Sequence, residues 1–383
     1  MTSLRLPATA SANVTTRAAA LTGPLPAAPR RTRMVTLDLM RGYYVGVLAA
    51  VHLDYLPSLL GLFDGRGSLL VSEAENFFLI SGLLVGMLRR RDLERHGPLR
   101  MARNAWKRAG QLYVLAVSLT LLFTVIGRLA VAHGVSNVKV GLDSDSSPMA
   151  LLANTLTLRY TYGWADFLTF YVPMFLIAPL TVWLLSRRLA PVVVLLAYAG
   201  FVLPSHYDTS FFSPFLQWGV YFFLGTIAGY HWDDLRRLVG RLSPAVRRAL
   251  CTGLVVGTVL LYLVGMLLLF HPELIVDSDT YNHLFQNNRL GLLRPFAAPV
   301  SFAGTFLLVR KYEEPIARTV GRLLLPFGRS SLYVYVAQSF FVFLIPFVVG
   351  PSGFWENTVF DVSVIAVTWF AVRTRFLAFL IPG

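Results

Sequence analysis

The sequence is short of charge. Asp, Glu, Lys and Arg make up 14% of 383 residues, where a soluble globular domain usually carries about a quarter. That shortfall argues against an ordinary water-facing enzyme. Cysteine is nearly absent: Cys251 stands alone, which rules out an intrachain disulfide and a cysteine-based metal site. There is no glycine-rich phosphate loop and no nucleophile elbow; Ser81-Gly82 lacks the flanking pattern of one. The stretch "HPELIVDSDTYNHLFQNNR" (271–289) has two histidines and several acids but no short metal-ligand spacing, so no metal is expected there. No internal repeat is visible, and an inverted-repeat transporter is not suggested.

What is present is apolar sequence. Hydrophobic residues reach 55% and the mean hydropathy is +0.60. The apolar residues gather in runs of about 20, the length a helix needs to cross a hydrocarbon core of roughly 30 Å. Ten such segments lie near 35–57, 68–88, 109–131, 165–186, 189–204, 214–231, 249–270, 292–309, 331–349 and 356–376. The predicted fold class is all-α: a polytopic integral membrane protein, a bundle of about ten transmembrane helices with both termini cytoplasmic. Orientation follows from Lys and Arg. Basic connections (the amino-terminal tail, 89–108, 186–188, 232–248 and 310–329) alternate with poorly basic ones at every crossing. The net charge of +14 is assigned to these loops and to anionic lipid rather than to nucleic acid. Residues 1–33, rich in Ala, Thr and Pro, are predicted to be a disordered basic cytoplasmic tail. Residues 34–383 are predicted to form a single transmembrane domain.

Several polar residues fall inside these segments. The first reads "LDLMRGYYVGVLAAVHLD" (37–54) and carries Asp38, Arg41 and His52, although a charge near the bilayer centre costs roughly 2.5 to 3.5 kcal/mol. The eleven steps from Arg41 to His52 sum to about 1100°, about 20° past three turns, so both share a face about 16 Å apart along the axis. Alone, Arg41 reads equally as a snorkelling anchor with Asp38 as its partner one turn away. Its alignment with His52 favours a shared polar cavity. In the second segment, "SEAENFFLISGLLVG" (72–86), Glu73 falls near the outer interface and Glu75 lies at about the depth of His52. A carboxylate paired with an imidazole fixes its tautomer and raises its basicity, so a Glu75–His52 pair is expected. Ser81-Gly82 supplies small residues for close helix approach.

Asp166, Trp164, Gln217, Trp218 and Gln338, with His206 and Asp208, collect near the predicted outer ends. Aromatics among acids and amides suit either interfacial anchoring or a sugar-binding face. Arg103, Lys107 and Arg108 in the basic 89–108 connection read as topology-setting charge or as ligands for phosphate.

The Arg41-x10-His52 spacing in the first segment resembles the signature of the acyltransferase-3 superfamily, and "AENFFLISG" resembles its second-span motif. Ala74-Glu75 before the aromatic pair narrows the resemblance to the OpgC family, the succinyltransferases of osmoregulated periplasmic glucans. So do "ADFLTFYVPMFLIAPLTVWLL", "SPFLQWGVYFFLGTIAGY" and "FGRSSLYVYVAQSFFVFL". The resemblance implies a bacterial inner-membrane, multi-pass O-acyltransferase. It would move an acyl group, succinyl by best match, from cytoplasmic acyl-CoA to a hydroxyl of an extracytoplasmic polysaccharide or glycan. It implies His52 and Glu75 as catalytic residues and Arg41 at the acyl-CoA; on that reading the basic residues Arg103, Lys107 and Arg108 are further candidates to hold the CoA phosphates. Asp166 matches the acid opening the fourth segment; with it, Trp164, Gln217, Trp218 and Gln338, read above as suiting a sugar-binding face, are the acceptor-binding candidates. No tightly bound cofactor is implied; acyl-CoA is a co-substrate, and lipid the surroundings. The chain departs from the OpgC pattern in having Val51-His52 where Asp-His is usual, and Gln338 where a late histidine is usual. A rival class reads the same intramembrane polarity as that of a transporter or flippase, with His52 and Glu75 as a polar relay.

Overall fold

The computed structural model describes residues 34–64, 69–135, 138, 147–206, 213–275, 277–286 and 290–376. The predicted tail (1–33), Asp208 and the His206 side chain lie outside the described residues. One compact unit is Val35–Gly383; the other, Met1–Met34, is described only at Met34. Among the described residues the fold is entirely helical. Its helices are α1 (Val35–Leu53), α2 (Leu59–Asp64), α3 (Glu73–Ala132), α4 (Pro148–Leu156), α5 (Asp166–Ser186), α6 (Ala190–His206), α7 (Ser213–Tyr230) and α8 (Trp232–Arg241). They continue with α9 (Pro244–Phe270), α10 (Ser278–Phe285), α11 (Arg294–Lys311), α12 (Glu313–Thr319), α13 (Gly321–Arg329), α14 (Ser331–Leu344) and α15 (Phe354–Thr374).

All ten apolar segments read from the sequence fall on these helices. Three stretches are long and apolar enough to cross a membrane: α3, Gly163–Ser186 containing α5, and α9. The α13–α14 pair, bent by 101°, makes a fourth if taken together. In α9 only 6% of the most apolar stretch is buried, so its surface is left for lipid. The second and third segments are the two arms of α3. A straight 60-residue helix would run about 90 Å, three times the hydrocarbon core. Gly97 interrupts it at φ 79°, a conformation glycine takes without a Cβ penalty, and Pro98 follows.

Two close crossings set the frame. Gly82 and Gly86 on α3 face Gly225 and Gly229 on α7. A Cβ on Gly82 would lie 1.9 Å from the Phe222 carbonyl oxygen, and one on Gly225 2.1 Å from that of Leu79. Two small-xxx-small stripes thus let the backbones touch, which is how helices gain packing energy where lipid removes the hydrophobic drive. The second crossing sets α13 on the start of α1, where a Cβ on Gly42 would lie 2.0 Å from the Leu324 carbonyl oxygen. At one end of the bundle, Arg90 of α3 donates to the Tyr230 carbonyl oxygen (2.6 Å) and reaches Asp234 of α8 (3.3 Å). Hydrogen bonds from Arg237 first, then His231, hold the Asp234 carboxyl below its ordinary range.

Candidate active site: two cavities along α1

Two cavities lie along α1, and each has its own chemistry. The first, about 520 Å³, is lined by Arg41, Arg89, Lys107 and Arg108, and no carboxylate is among its described lining residues. Arg41 donates to Ser331, which the α13–α14 bend carries to it. Arg89 also pairs with Asp92 (2.6 Å), and Arg108 donates to Gln111 (3.3 Å). Tyr171 donates to Ser81 (2.9 Å) across the same space. A groove of about 640 Å³ adjoins it, lined by Arg100 and Arg103 and sharing Asn104 and Lys107 with the cavity. Guanidinium and ammonium donors of this kind form strong charge-assisted bonds to phosphate oxygens.

The second cavity, about 320 Å³, holds His52, Glu73 and Asp166 beside Phe167, Phe170 and Trp218, with no Lys or Arg in its described lining. Carboxylates here accept hydrogen bonds from hydroxyls, and the aromatic faces offer flat apolar contact. Asp166 also accepts from the Phe167 backbone N–H (2.6 Å), so the carboxylate is fixed at the first turn of α5. The His52 ring is enclosed by Tyr335 (centroids 5.7 Å), Trp164 (6.3 Å) and Phe167 (6.4 Å). Its Nδ1 is buried with no hydrogen-bond partner among the described residues. Phe167 lines both cavities.

The expected Glu75–His52 pair is not formed. Glu75 and Arg294 are both 0% exposed and bind each other at 2.6 Å (Nε to Oε1) and 3.2 Å (Nη2 to Oε2). The Tyr221 hydroxyl donates to Oε1 (3.0 Å) and the Ser72 backbone N–H to Oε2 (2.7 Å). Arg294 further donates to the carbonyl oxygens of Leu69 (3.1 Å) and Phe285 (2.8 Å). A buried guanidinium needs an anion, and Glu75 is committed to that need. Glu73 lies two steps before Glu75, about 200° around the helix, and it is Glu73 that lines the His52 cavity.

The remaining expectations divide. Arg41, Lys107 and Arg108 share the basic cavity, and Arg103 lies in the adjoining groove. Asp166 and Trp218 share the acidic cavity, while Trp164 reaches that site only through its stacking on His52. Gln217, next to Trp218, is half-buried but lines neither cavity. Gln338 is fully buried in α14, with no hydrogen-bond partner on either amide atom among the described residues, and also lines neither. Sequence reasoning placed Glu73 at the interface, left Arg89 among loop charges and did not single out Phe167 or Arg294. Arg294 offered one usable signal: a lone arginine at the head of an apolar segment needs a buried acid. Among the described residues no group of three His, Cys, Asp or Glu could hold a metal.

The chain matches the OpgC protein family model over residues 33–378. It belongs to the OpgC family. That membership carries transferase activity in the broad sense, of the acyltransferase kind that modifies glucans, and membrane character. No curated protein and no solved structure matches the chain.

Proposed function

We propose that this OpgC family member is a membrane-bound O-acyltransferase that moves an acyl group, succinyl by preference, from acyl-CoA to a hydroxyl of an extracytoplasmic glycan. It would cross the bacterial inner membrane ten times, with both termini in the cytoplasm and the basic cavity facing it. The observation that carries the reading is the meeting of a cation-lined cavity and a carboxylate-and-aromatic cavity beside His52. Arg41, Lys107, Arg108 and Arg89 would hold the anionic donor, with Arg103 on its approach. Glu73, Asp166 and Trp218 would hold the sugar. His52 takes the proton of the acceptor hydroxyl as that oxygen bonds to the thioester carbonyl carbon; the C–S bond breaks, and the proton is returned to the CoA thiolate. General-base help of this kind supplies about 10²- to 10⁴-fold. Attack by His52 itself, giving an acyl-imidazole that the sugar then resolves, uses the same residues in two steps. Glu75 holds the frame through Arg294 in either route. No tightly bound cofactor is required.

The test is free-thiol release by the purified protein in lipid, offered succinyl-CoA or acetyl-CoA with and without an envelope glycan fraction. Glycan-stimulated release from one donor is expected. Cavities placed at both ends of one helix also suit a carrier, and glycan movement without thiol release would favour that second reading.

A further inference from the structure

One side chain lines both cavities. Phe167, the second residue of α5, lines the basic cavity on one side and the acidic cavity on the other. It is 8% exposed and held from four directions: Phe78 at 5.0 Å, Tyr335 at 6.0 Å, Trp218 at 6.1 Å and His52 at 6.4 Å between ring centroids. A ring held on all these sides is a fixed wall rather than a loose flap. It also borders the imidazole that the proposed reaction uses.

We propose that Phe167 is a positioning residue, the partition that keeps acceptor-side water from the thioester while letting the acyl carbon meet a bound hydroxyl at His52. The inference rests on the acyl-transfer reading. Two nucleophiles compete for the donor. A sugar hydroxyl forms a C–O bond, breaks C–S and yields glycan ester and free thiol. Water forms the same bond and yields carboxylic acid and free thiol, its proton passing to the thiolate. A site open to water at both ends would favour the second outcome, because water far outnumbers the sugar. With Phe167 in place, the bound hydroxyl is the nucleophile that reaches the carbonyl. Removing the ring joins the cavities through an opening wide enough for water, which needs about one probe sphere of space.

The readout is thiol released per glycan ester formed. For the wild type with saturating glycan the ratio is expected near one; Phe167→Ala should raise it at least tenfold, through faster hydrolysis and slower transfer, and Phe167→Leu should restore most of the coupling. A merely structural role would lower both products together and leave the ratio unchanged, which would overturn the inference. A second readout does not depend on activity: liposomes carrying Phe167→Ala and loaded with a pH-sensitive dye should leak protons faster than those with wild type or Phe167→Leu. Tight Phe167→Ala liposomes with an unchanged ratio would remove the partition and leave acyl transfer standing. Wild-type protein that releases no thiol from any donor would remove the transfer reading, with the dye still reporting on the wall.

Discussion

The two cavities along α1 carry opposite charge. Every Lys, Arg, Asp or Glu in the described lining of one is a cation, Arg41, Arg89, Lys107 and Arg108; in the other they are carboxylates, Glu73 and Asp166. A lining of one sign favours a ligand of complementary chemistry: the basic cavity suits phosphates, the acidic one hydroxyl donors. The contrast also explains the length of the Arg41–His52 spacing. On the proposed reading, three turns of one helix would connect a site for the donor's charge to a site for the acceptor's proton.

The largest effect expected from breaking this arrangement is at its junction. His52→Ala should lower glycan-dependent thiol release by about 10²- to 10⁴-fold, with an unchanged unfolding midpoint in lipid. Next comes the frame: Glu75→Ala or Arg294→Ala should destabilise the protein by about 3 to 5 kcal/mol by stranding a buried charge. Thermal unfolding would show it, and replacing both residues by apolar ones should recover part of the loss. A Glu75→Ala protein as stable as wild type but inactive would contradict the structural role given to Glu75. On the basic side, Arg41→Ala should raise the acyl-CoA concentration needed for half-maximal rate by about 10- to 100-fold, the value of one charge-assisted hydrogen bond. On the acidic side, Glu73→Gln should raise only the glycan requirement, by about two- to tenfold. The smallest effect belongs to Arg103→Ala in the outlying groove: under about threefold on the donor, and fading at high salt. Donor and acceptor effects that failed to separate between the two cavities would blur the comparison.

Much of this architecture was legible in the sequence because apolar length is a local signal. Helical periodicity puts Arg41 and His52 on one face, but the shared cavity expected from that alignment is not formed: Arg41 lines the basic cavity and His52 the acidic one. The partners of Glu75 were not legible. Arg294 lies 219 residues away, and depth in a membrane gives only one of the three coordinates that decide a contact. Glu73 and Glu75 are both acids at the head of the same segment, and only the α3–α7 glycine crossing and the demand of Arg294 settle which faces inward to α7 and which faces His52. Phe167 looked like any other aromatic in an apolar run. Its role depends on empty space on both sides, which no sequence pattern encodes. Gln338 shows the reverse case, a polar residue that invited a binding role yet sits buried away from both cavities.

The central claim is that donor and acceptor occupy opposite ends of the same helix. It is tested most directly by sided assay in proteoliposomes of uniform orientation, with acyl-CoA added to one face and glycan to the other. The account predicts free thiol on the basic-cavity side and esterified glycan on the acidic-cavity side, both lost in His52→Ala. Ester formed only when donor and glycan share a face, or glycan crossing unmodified, would contradict it.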